Sequence, residues 1–139
     1  MLEIRPFQDS DEEAIVELWR DCELLRPTND PHRDIELKRA VQPDLFLVGI
    51  LHSRVVASVM AGYEGHRGWL NYLAVAPTCR HRGFGRAIVA AAEDRLRLIG
   101  CPKINLQVRV GNARTMEFYQ KIGFQMDDVV SLGKRLNYK

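Results

Sequence analysis

A basic segment with two glycines follows an apolar run and a proline, and its residue types suit the binding of an anion. Three arginines, Arg80, Arg82 and Arg86, surround Gly83 and Gly85. Glycines let a backbone approach a ligand without an intervening Cβ, and the first turn of a helix presents N–H groups that have no intrahelical partner. Together with the helix dipole, these features predict a phosphate-binding turn between a strand and a helix.

The order of residues in this segment differs from that of two common nucleotide-binding loops. The chain shows neither a Gly-x-Gly-x-x-Gly run after the strand nor a Gly-Lys-Ser/Thr ending. A dinucleotide-binding fold and a P-loop are therefore disfavoured. Because glycine-containing turns are common in α/β proteins, the segment needs support from elsewhere in the chain before it indicates a function.

A second segment, residues 112–124, combines a predicted helix with several aromatic side chains. Asn112 is typical of a helix N-cap, and Gly123 is typical of the residue that follows a helix. Between them, Phe118 and Tyr119 lie at adjacent positions of the predicted helix, and Phe124 follows the glycine.

The two segments together resemble the GNAT acetyltransferase superfamily. The first is similar to its Arg/Gln-x-x-Gly-x-Gly/Ala acetyl-CoA loop, and the second to its Asn-x5-Phe/Leu-Tyr-x3-Gly-Phe segment. Residues 22–31 and 131–136 resemble a small bacterial subgroup of YpeA type. The resemblance implies an α/β (α+β) fold with a mixed central sheet, whose splayed strands form an acyl-CoA cleft, and an acetyl-CoA-dependent N-acetyltransferase without a metal.

The resemblance also implies which residues hold acetyl-CoA, the co-substrate. The strand before the loop would pair its backbone with the amide-rich pantetheine arm, as an added strand pairs with an open sheet edge. In the alternative interpretation, the strand side chains are plain core, Asn112 is only an N-cap and the arginines are solvated. The expected coenzyme-binding residues are Leu73, Ala74, Val75, Arg80, His81, Arg82, Gly83, Phe84, Gly85, Arg86 and Asn112.

The resemblance places the hydroxyl of Tyr119 beside the coenzyme sulfur and implies that it is the general acid. A phenol with a pKa of ~10 can protonate a departing thiolate whose thiol has a pKa of ~8.5 at modest cost. The alternative for Tyr119 is a core tyrosine that packs with Phe118 at helical spacing.

At the positions of the usual general base, this chain departs from the superfamily pattern. Many relatives have a glutamate where this chain has Trp69 or Gln107, and neither side chain takes up a proton at neutral pH. The chain therefore favours an acceptor amine of low pKa, or deprotonation through water by Glu64 or His66 in the preceding turn. Glu64 is the predicted base, with a merely solvated turn residue as the alternative.

Selection of the acceptor is expected to involve the segment between the first two predicted helices. Arg26 could hold a carboxylate of the acceptor, and Asp30 could hold its amine, with Asn29 between them. A helix cap at Asp30 and an exposed Arg26 are the alternatives.

Hydrophobic periodicity predicts the element order β-α-α-β-β-β-α-β-α-β around these residues. Ser10 and Glu13 form a potential capping box for the first helix, and Asp30 with Pro31 starts the second. Gly100 is expected to end the third helix. The predicted elements include a helix near 31–41, a hairpin from 45–51 and 55–63 around residues 52–54, the strand 69–75, an alternating strand over 103–110 and a last strand from 124 towards 136.

Length and composition set the remaining expectations. A chain of 139 residues is typical of a single domain, predicted here to span 1–139. A net charge of +2, from 20 basic and 18 acidic residues, gives no general case for nucleic-acid or membrane partners. Three cysteines without Cys-x-x-Cys spacing, and the lack of a signal-like apolar N-terminus, predict a cytoplasmic protein. A homodimer is an expectation by analogy.

Three functions compete at this point. The first is an N-acetyltransferase that transfers an acetyl group to a primary amine of a small molecule, peptide or protein by direct attack in a ternary complex. The second is an acyl-CoA-binding sensor or interaction module without catalysis, suggested by the missing carboxylates at Trp69 and Gln107. The third, a nucleic-acid-binding patch at the basic loop, is disfavoured because aromatic residues are not interleaved with the basic ones.

Overall fold

A computed structural model describes residues 1–137 and shows an α/β arrangement of five strands and four α-helices. Short 3-10 turns precede α1 (Asp9–Asp11), β2 (Pro43–Leu45) and α3 (Pro77–Cys79). The regular elements are β1 Glu3–Pro6, α1 Glu12–Asp21, α2 Pro31–Arg39, β2 Phe46–Leu51, β3 Arg54–Tyr63, β4 Gly68–Val75, α3 Phe84–Leu98, β5 Ile104–Asn105 and α4 Ala113–Lys121.

The strands form one mixed sheet in the order β1-β2-β3-β4-β5. The first four strands pair antiparallel, whereas β5 pairs parallel with β4. The β2–β3 turn consists of His52 and Ser53, both with positive φ (51° and 64°), as a two-residue hairpin turn requires. The predicted mixed sheet and its hairpin are therefore confirmed.

Pairing between β4 and β5 covers only the start of β4, where Gly68 pairs with Ile104 and Trp69 pairs with Asn105. Within the described residues, β4 continues from Leu70 to Val75 without a β5 partner. One edge of β4 therefore opens in the direction of the loop that follows it.

A buried polar chain links α1 to the middle of the sheet. The indole N–H of Trp19 donates to the Ser58 hydroxyl (2.9 Å), and this hydroxyl donates to the backbone carbonyl of Tyr72 (2.8 Å). Trp19 and Ser58 are both 0 % exposed, and the rings of Trp19 and Tyr72 stack with centroids 3.7 Å apart. The chain thus fixes the backbone of β4 at Tyr72.

We expect Ser58→Ala to lower the free energy of unfolding by about 1–3 kcal/mol, because the buried Trp19 N–H would lose its acceptor. Ser10→Ala, which changes an exposed hydroxyl that caps no helix, is the matched control and should cost less than about 0.5 kcal/mol. Urea unfolding of the two variants measures both effects. Equal stabilities would show that the Trp19–Ser58 contact contributes nothing.

Helix α2 is attached to the sheet by polar side chains as well as by Ile35, its one buried residue. Lys38 donates to the Ala61 carbonyl, and the Gln42 side-chain amide both accepts from the Tyr63 N–H (2.8 Å) and donates to the Tyr63 carbonyl (3.1 Å). Register pairing of β2 with β3 ends at Met60. Because β3 continues past the start of β2, the Lys38 and Gln42 side chains form hydrogen bonds there that β2 does not provide.

Most predicted helix ends are confirmed, and one is wrong. The Asp30 carboxylate accepts from the Arg33 N–H (3.1 Å), and the Asn112 side chain accepts from the Thr115 N–H (3.2 Å). Gly100 and Gly123 have φ of 86° and 105° just after α3 and α4. The capping box at Ser10 and Glu13 does not form.

The structure starts the first helical segment earlier, with a 3-10 turn at Asp9–Asp11 that is capped through the carboxylate of Asp11. This carboxylate accepts from the Gln8 N–H (2.8 Å) and is held by Arg5 through two hydrogen bonds (2.8 and 3.0 Å). Because the Arg5 pair fixes the carboxylate against the backbone of residue 8, a 3-10 turn precedes α1, and Ser10 lies inside that turn.

Two predicted strands differ from the structure. Only Ile104–Asn105 of the predicted strand 103–110 is a strand, and none forms between 124 and 137. Alternation of apolar residues predicts burial of one face, but Val110 is fully exposed, and most of the apolar side chains after residue 125 are exposed by about three quarters or more. Without that burial, the alternating pattern does not stabilise a longer strand.

The chain divides into two compact units, Met1–Gln107 and a second that begins at Val108. The first contains the sheet and α1 to α3, and the second contains α4. The expected domain of 1–139 includes two residues, 138 and 139, that lie outside the described part. Among residues 1–137, no helix has both the length and the apolar character of a membrane span.

Candidate active site

The backbone groups of Val75, at the end of β4, point away from β3. The Ala76 N–H donates to the Val56 carbonyl on β3 (2.8 Å). Because backbone groups alternate in direction along a strand, those of Val75 face the opposite, open edge. The Val75 carbonyl accepts from the Arg80 Nε (3.2 Å) and from the Cys22 thiol (3.3 Å).

These contacts distinguish the three strand residues expected to bind the coenzyme. Ala74 pairs with Ser58 on β3 and is buried. Leu73 and Val75 are half-buried, and the Val75 carbonyl already has two partners. This carbonyl is therefore only partly available to an extended ligand.

The predicted strand-to-helix turn has the geometry of an anion site. Gly83 is the N-cap of α3 with φ 81°, and α3 begins at Phe84 with Gly85 in its first turn. No side chain caps α3, and its first backbone hydrogen bond runs from the Ala87 N–H to the Gly83 carbonyl (3.0 Å). The preceding N–H groups of α3 are therefore directed out of the helix end.

The arginines of the loop add positive charge that no carboxylate neutralises. Arg80, Arg82 and Arg86 are exposed, and none of them forms an ion pair with an acidic residue in the described part of the chain. The Arg82 guanidinium lies over the half-buried Phe84 ring, 5.0 Å from its centroid. His81, with φ 63°, is an exposed member of the same turn.

A β-bulge interrupts β4 between this loop and the start of the strand. The register with β3 shifts between Ser58 and Met60, and Tyr72 has φ 53°. A bulge re-aims the side chains of its strand and increases the local twist. Here the Tyr72 side chain is directed towards α1 and α2, where it contacts Trp19 and Asn29.

Of the three residues expected to select an acceptor, the structure connects only Asn29 to the strand. Its amide donates to the Tyr72 hydroxyl (2.8 Å), whereas Arg26 is exposed and Asp30 caps α2. The sequence analysis missed Asp34, whose carboxylate accepts from the same hydroxyl (2.6 Å). The one available signal was the position of Asp34, one helical turn after the Asp30 cap.

The predicted base, Glu64, is already engaged in its turn. Its carboxylate accepts from the backbone N–H groups of Arg67 and His66, and these hydrogen bonds hold the pKa of this exposed carboxyl below its usual range. A lowered pKa weakens a general base. The role of Glu64 as the base stays a prediction.

The second unit contains the predicted acid. Tyr119 lies on α4, and its ring makes edge contacts with the rings of Phe118 (5.2 Å) and Phe124 (5.4 Å). Burial raises the pKa of the Tyr119 phenol. Within the described residues its hydroxyl has no hydrogen-bond partner, and it is not sealed from solvent. The phenol is therefore protonated at neutral pH, and its raised pKa makes it a weaker acid towards a thiolate than an exposed phenol.

The family model described as the acetyltransferase (GNAT) family matches residues 12–124, a range that includes both motifs. The chain belongs to the GNAT acetyltransferase family. It is therefore an N-acetyltransferase of the acetyl-CoA-dependent type, and the predicted family and fold class are confirmed. Among residues 1–137, no group of three or more His, Cys, Asp or Glu side chains could hold a metal ion.

Relatives of similar length carry the name acetyltransferase. The chain is 47% identical over 135 residues to an acetyltransferase of Yersinia enterocolitica, covering 97% of this chain and 96% of that one. It is 48% identical over 136 residues to an acetyltransferase of Sodalis glossinidius, with the same coverage. Its fold is similar to that of the PaiA N-acetyltransferase of Thermoplasma acidophilum in complex with coenzyme A, with a TM-score of 0.79, 20% identity and coverage of 94% and 93%.

Proposed function

We propose that this enzyme transfers the acetyl group of acetyl-CoA to a primary amine by direct attack in a ternary complex. The observation that carries the proposal is the open edge of β4 leading into the uncapped start of α3, beside three arginines that form no ion pair with a carboxylate of residues 1–137. Acetyl-CoA combines an amide-rich arm with several phosphates. These two chemistries match a free strand edge and an anion-binding helix start.

In the proposed complex, the pantetheine arm lies along Leu73 and Val75, and the phosphates bind at the loop. The N–H groups near Gly83 and Gly85 donate to phosphate oxygens, and Arg80, Arg82 and Arg86 supply counter-charge. Residues 81–86 and Ala74 line or support this path, and Asn112 of the second unit stays a predicted contact of the coenzyme. The coenzyme A bound to the similar Thermoplasma acidophilum protein supports the same ligand class for this chain.

In the transfer step, the neutral amine nitrogen forms a bond to the acetyl carbon, the carbon–sulfur bond breaks and its electron pair stays on sulfur. Tyr119 donates its phenolic proton to this sulfur, and the nitrogen loses a proton to water. The products are an N-acetylated amine and coenzyme A, after which water restores the proton of Tyr119. We assign the amine proton to water because Glu64 is held in its turn with a lowered pKa.

Calorimetric titration with acetyl-CoA, coenzyme A and ATP tests the binding part of this proposal. We expect acetyl-CoA and coenzyme A to bind with micromolar dissociation constants and ATP to bind more weakly, because ATP has no pantetheine arm to pair with β4. Thiol release in the presence of a panel of primary amines then tests transfer. Tight acetyl-CoA binding without release for any amine would favour the acyl-CoA sensor, and no binding would overturn both functions.

A further inference from the structure

Three polar side chains meet on the face of the sheet that α1 and α2 cover. The Tyr72 hydroxyl donates to the Asp34 carboxylate (2.6 Å) and accepts from the Asn29 amide (2.8 Å). We call Asn29, Asp34 and Tyr72 the tyrosine cluster. Its members come from the segment before α2, from α2 and from β4, so the fold alone brings them together.

Contacts with Trp19 and Ser58 hold Tyr72, the central member of the tyrosine cluster. The Tyr72 ring stacks on the buried Trp19 ring, with an interplanar angle of 12°. The Tyr72 carbonyl accepts from the Ser58 hydroxyl, which fixes the bulged backbone. Burial, followed by the neighbouring Asp34 carboxylate, raises the pKa of the Tyr72 phenol, which therefore stays a neutral donor to Asp34.

Asp34 is a carboxylate without a cation. It is half-buried in the first turn of α2, where the helix dipole favours a negative charge. No Lys, Arg or His of the described residues forms an ion pair with it, although other acidic side chains of α1, α2 and the preceding turn do. A partly desolvated negative charge of this kind is a binding site for a positive group of a ligand.

The chemistry of the proposed function indicates which positive group Asp34 binds. The attacking nitrogen must be neutral when it meets the thioester, and an ion pair with the Asp34 carboxylate would keep that nitrogen protonated. Asp34 is therefore suited to a second positive group of the acceptor, next to Tyr72, its hydrogen-bond partner on β4.

We propose that the acceptor has a second cationic group and that Asp34 binds this group while the first amine is acetylated, an inference that rests on the proposed function. The substrate class is a diamine-like molecule. Asn29 and Tyr72 act as positioning residues, because they hold the carboxylate through the Tyr72 hydroxyl. Asp34 then sets specificity for charge at the far end of the acceptor.

The test compares α,ω-diaminoalkanes with monoalkylamines of the same chain length, from propyl to octyl. We expect the wild-type protein to prefer the best diamine to its matched monoamine by roughly tenfold or more in kcat/KM, as a charged hydrogen bond of moderate strength gives. In Asp34→Asn, an isosteric side chain still accepts from Tyr72, and the preference should fall to within about twofold. The monoamine rate is an internal reference, since structural damage would lower both rates and leave their ratio unchanged.

Glu36→Gln is the matched control, because it removes a negative charge from the exposed side of the same helix. It should keep the wild-type preference for diamines, and all three proteins should bind acetyl-CoA equally in calorimetry. Equal use of diamines and monoamines by the wild-type protein, or an unchanged ratio in Asp34→Asn, would overturn the inference and leave the proposed function standing. Failure to bind acetyl-CoA, or to acetylate any amine, would overturn the proposed function and this inference with it.

Discussion

Tyr119→Phe should slow turnover by ~10²–10⁴ and leave the acetyl-CoA dissociation constant near its wild-type value. The substitution keeps the ring that contacts Phe118 and Phe124 and removes a hydroxyl that bonds to no other described residue. The fold should therefore be preserved, and the whole loss should come from protonation of the leaving thiolate. Steady-state thiol release and calorimetry separate the two quantities.

The control for this variant is Tyr63→Phe, which removes a hydroxyl that donates to the Gly65 carbonyl in an exposed turn (3.1 Å). Its turnover should be unchanged. Because burial raises the pKa of Tyr119, the wild-type rate should also show no loss from phenol ionisation below pH ~10. A Tyr119→Phe protein with normal turnover would remove this residue from the mechanism.

Gly83→Glu should weaken acetyl-CoA binding by ~100-fold or more. A Cβ at Gly83 meets no atom within 4 Å, so the position has room for a side chain, and the left-handed φ of 81° costs about 1–2 kcal/mol of folding stability. The larger effect is on the ligand, since a carboxylate at the start of α3 repels phosphate. At an effective dielectric near 20, this repulsion is worth a few kcal/mol.

Gly100→Glu is the matched control at the other end of α3. Its φ of 86° and its open surroundings are nearly the same, so it introduces the same charge and similar backbone strain away from the anion site. Its acetyl-CoA dissociation constant should stay within about threefold of wild type. If calorimetry finds the two variants equally weakened, the loss reflects net charge or stability, and the loop has no special part in binding.

The helix caps and the strand-to-helix turn of the site could be predicted from short stretches of the sequence. Caps such as Asp30 and Asn112 act within one helical turn, and the glycine and arginine spacing of residues 80–86 depends on a single strand-to-helix turn. These features could be predicted because the residues that interact are close in the chain. The positive φ at Gly83 follows from the same turn.

Contacts between distant segments could not be predicted in this way. The hydrogen bond from Tyr72 to Asp34 spans 38 positions of the chain, and the one from Trp19 to Ser58 spans 39. No glycine or proline stands next to Tyr72 in the sequence, so nothing there predicts the β-bulge. Alternation over 103–110 predicted a long strand, because periodicity records which side chains share a face and not whether a partner strand continues beside them.

The attachment of α2 has a consequence for how an acceptor enters and leaves. Lys38 and Asp34 on the helix and Gln42 just after it bond to the sheet, and Ile35 is its one buried residue. His32 and Arg39 form ion pairs with Glu12 and Asp9. Water can replace polar contacts of this kind, whereas it cannot replace apolar packing. We therefore expect detachment of α2 to expose little hydrophobic surface and to be among the low-energy openings of the native state. The carboxylate of Asp34 would move with the helix, so that recognition of the acceptor and opening of its path would be a single motion.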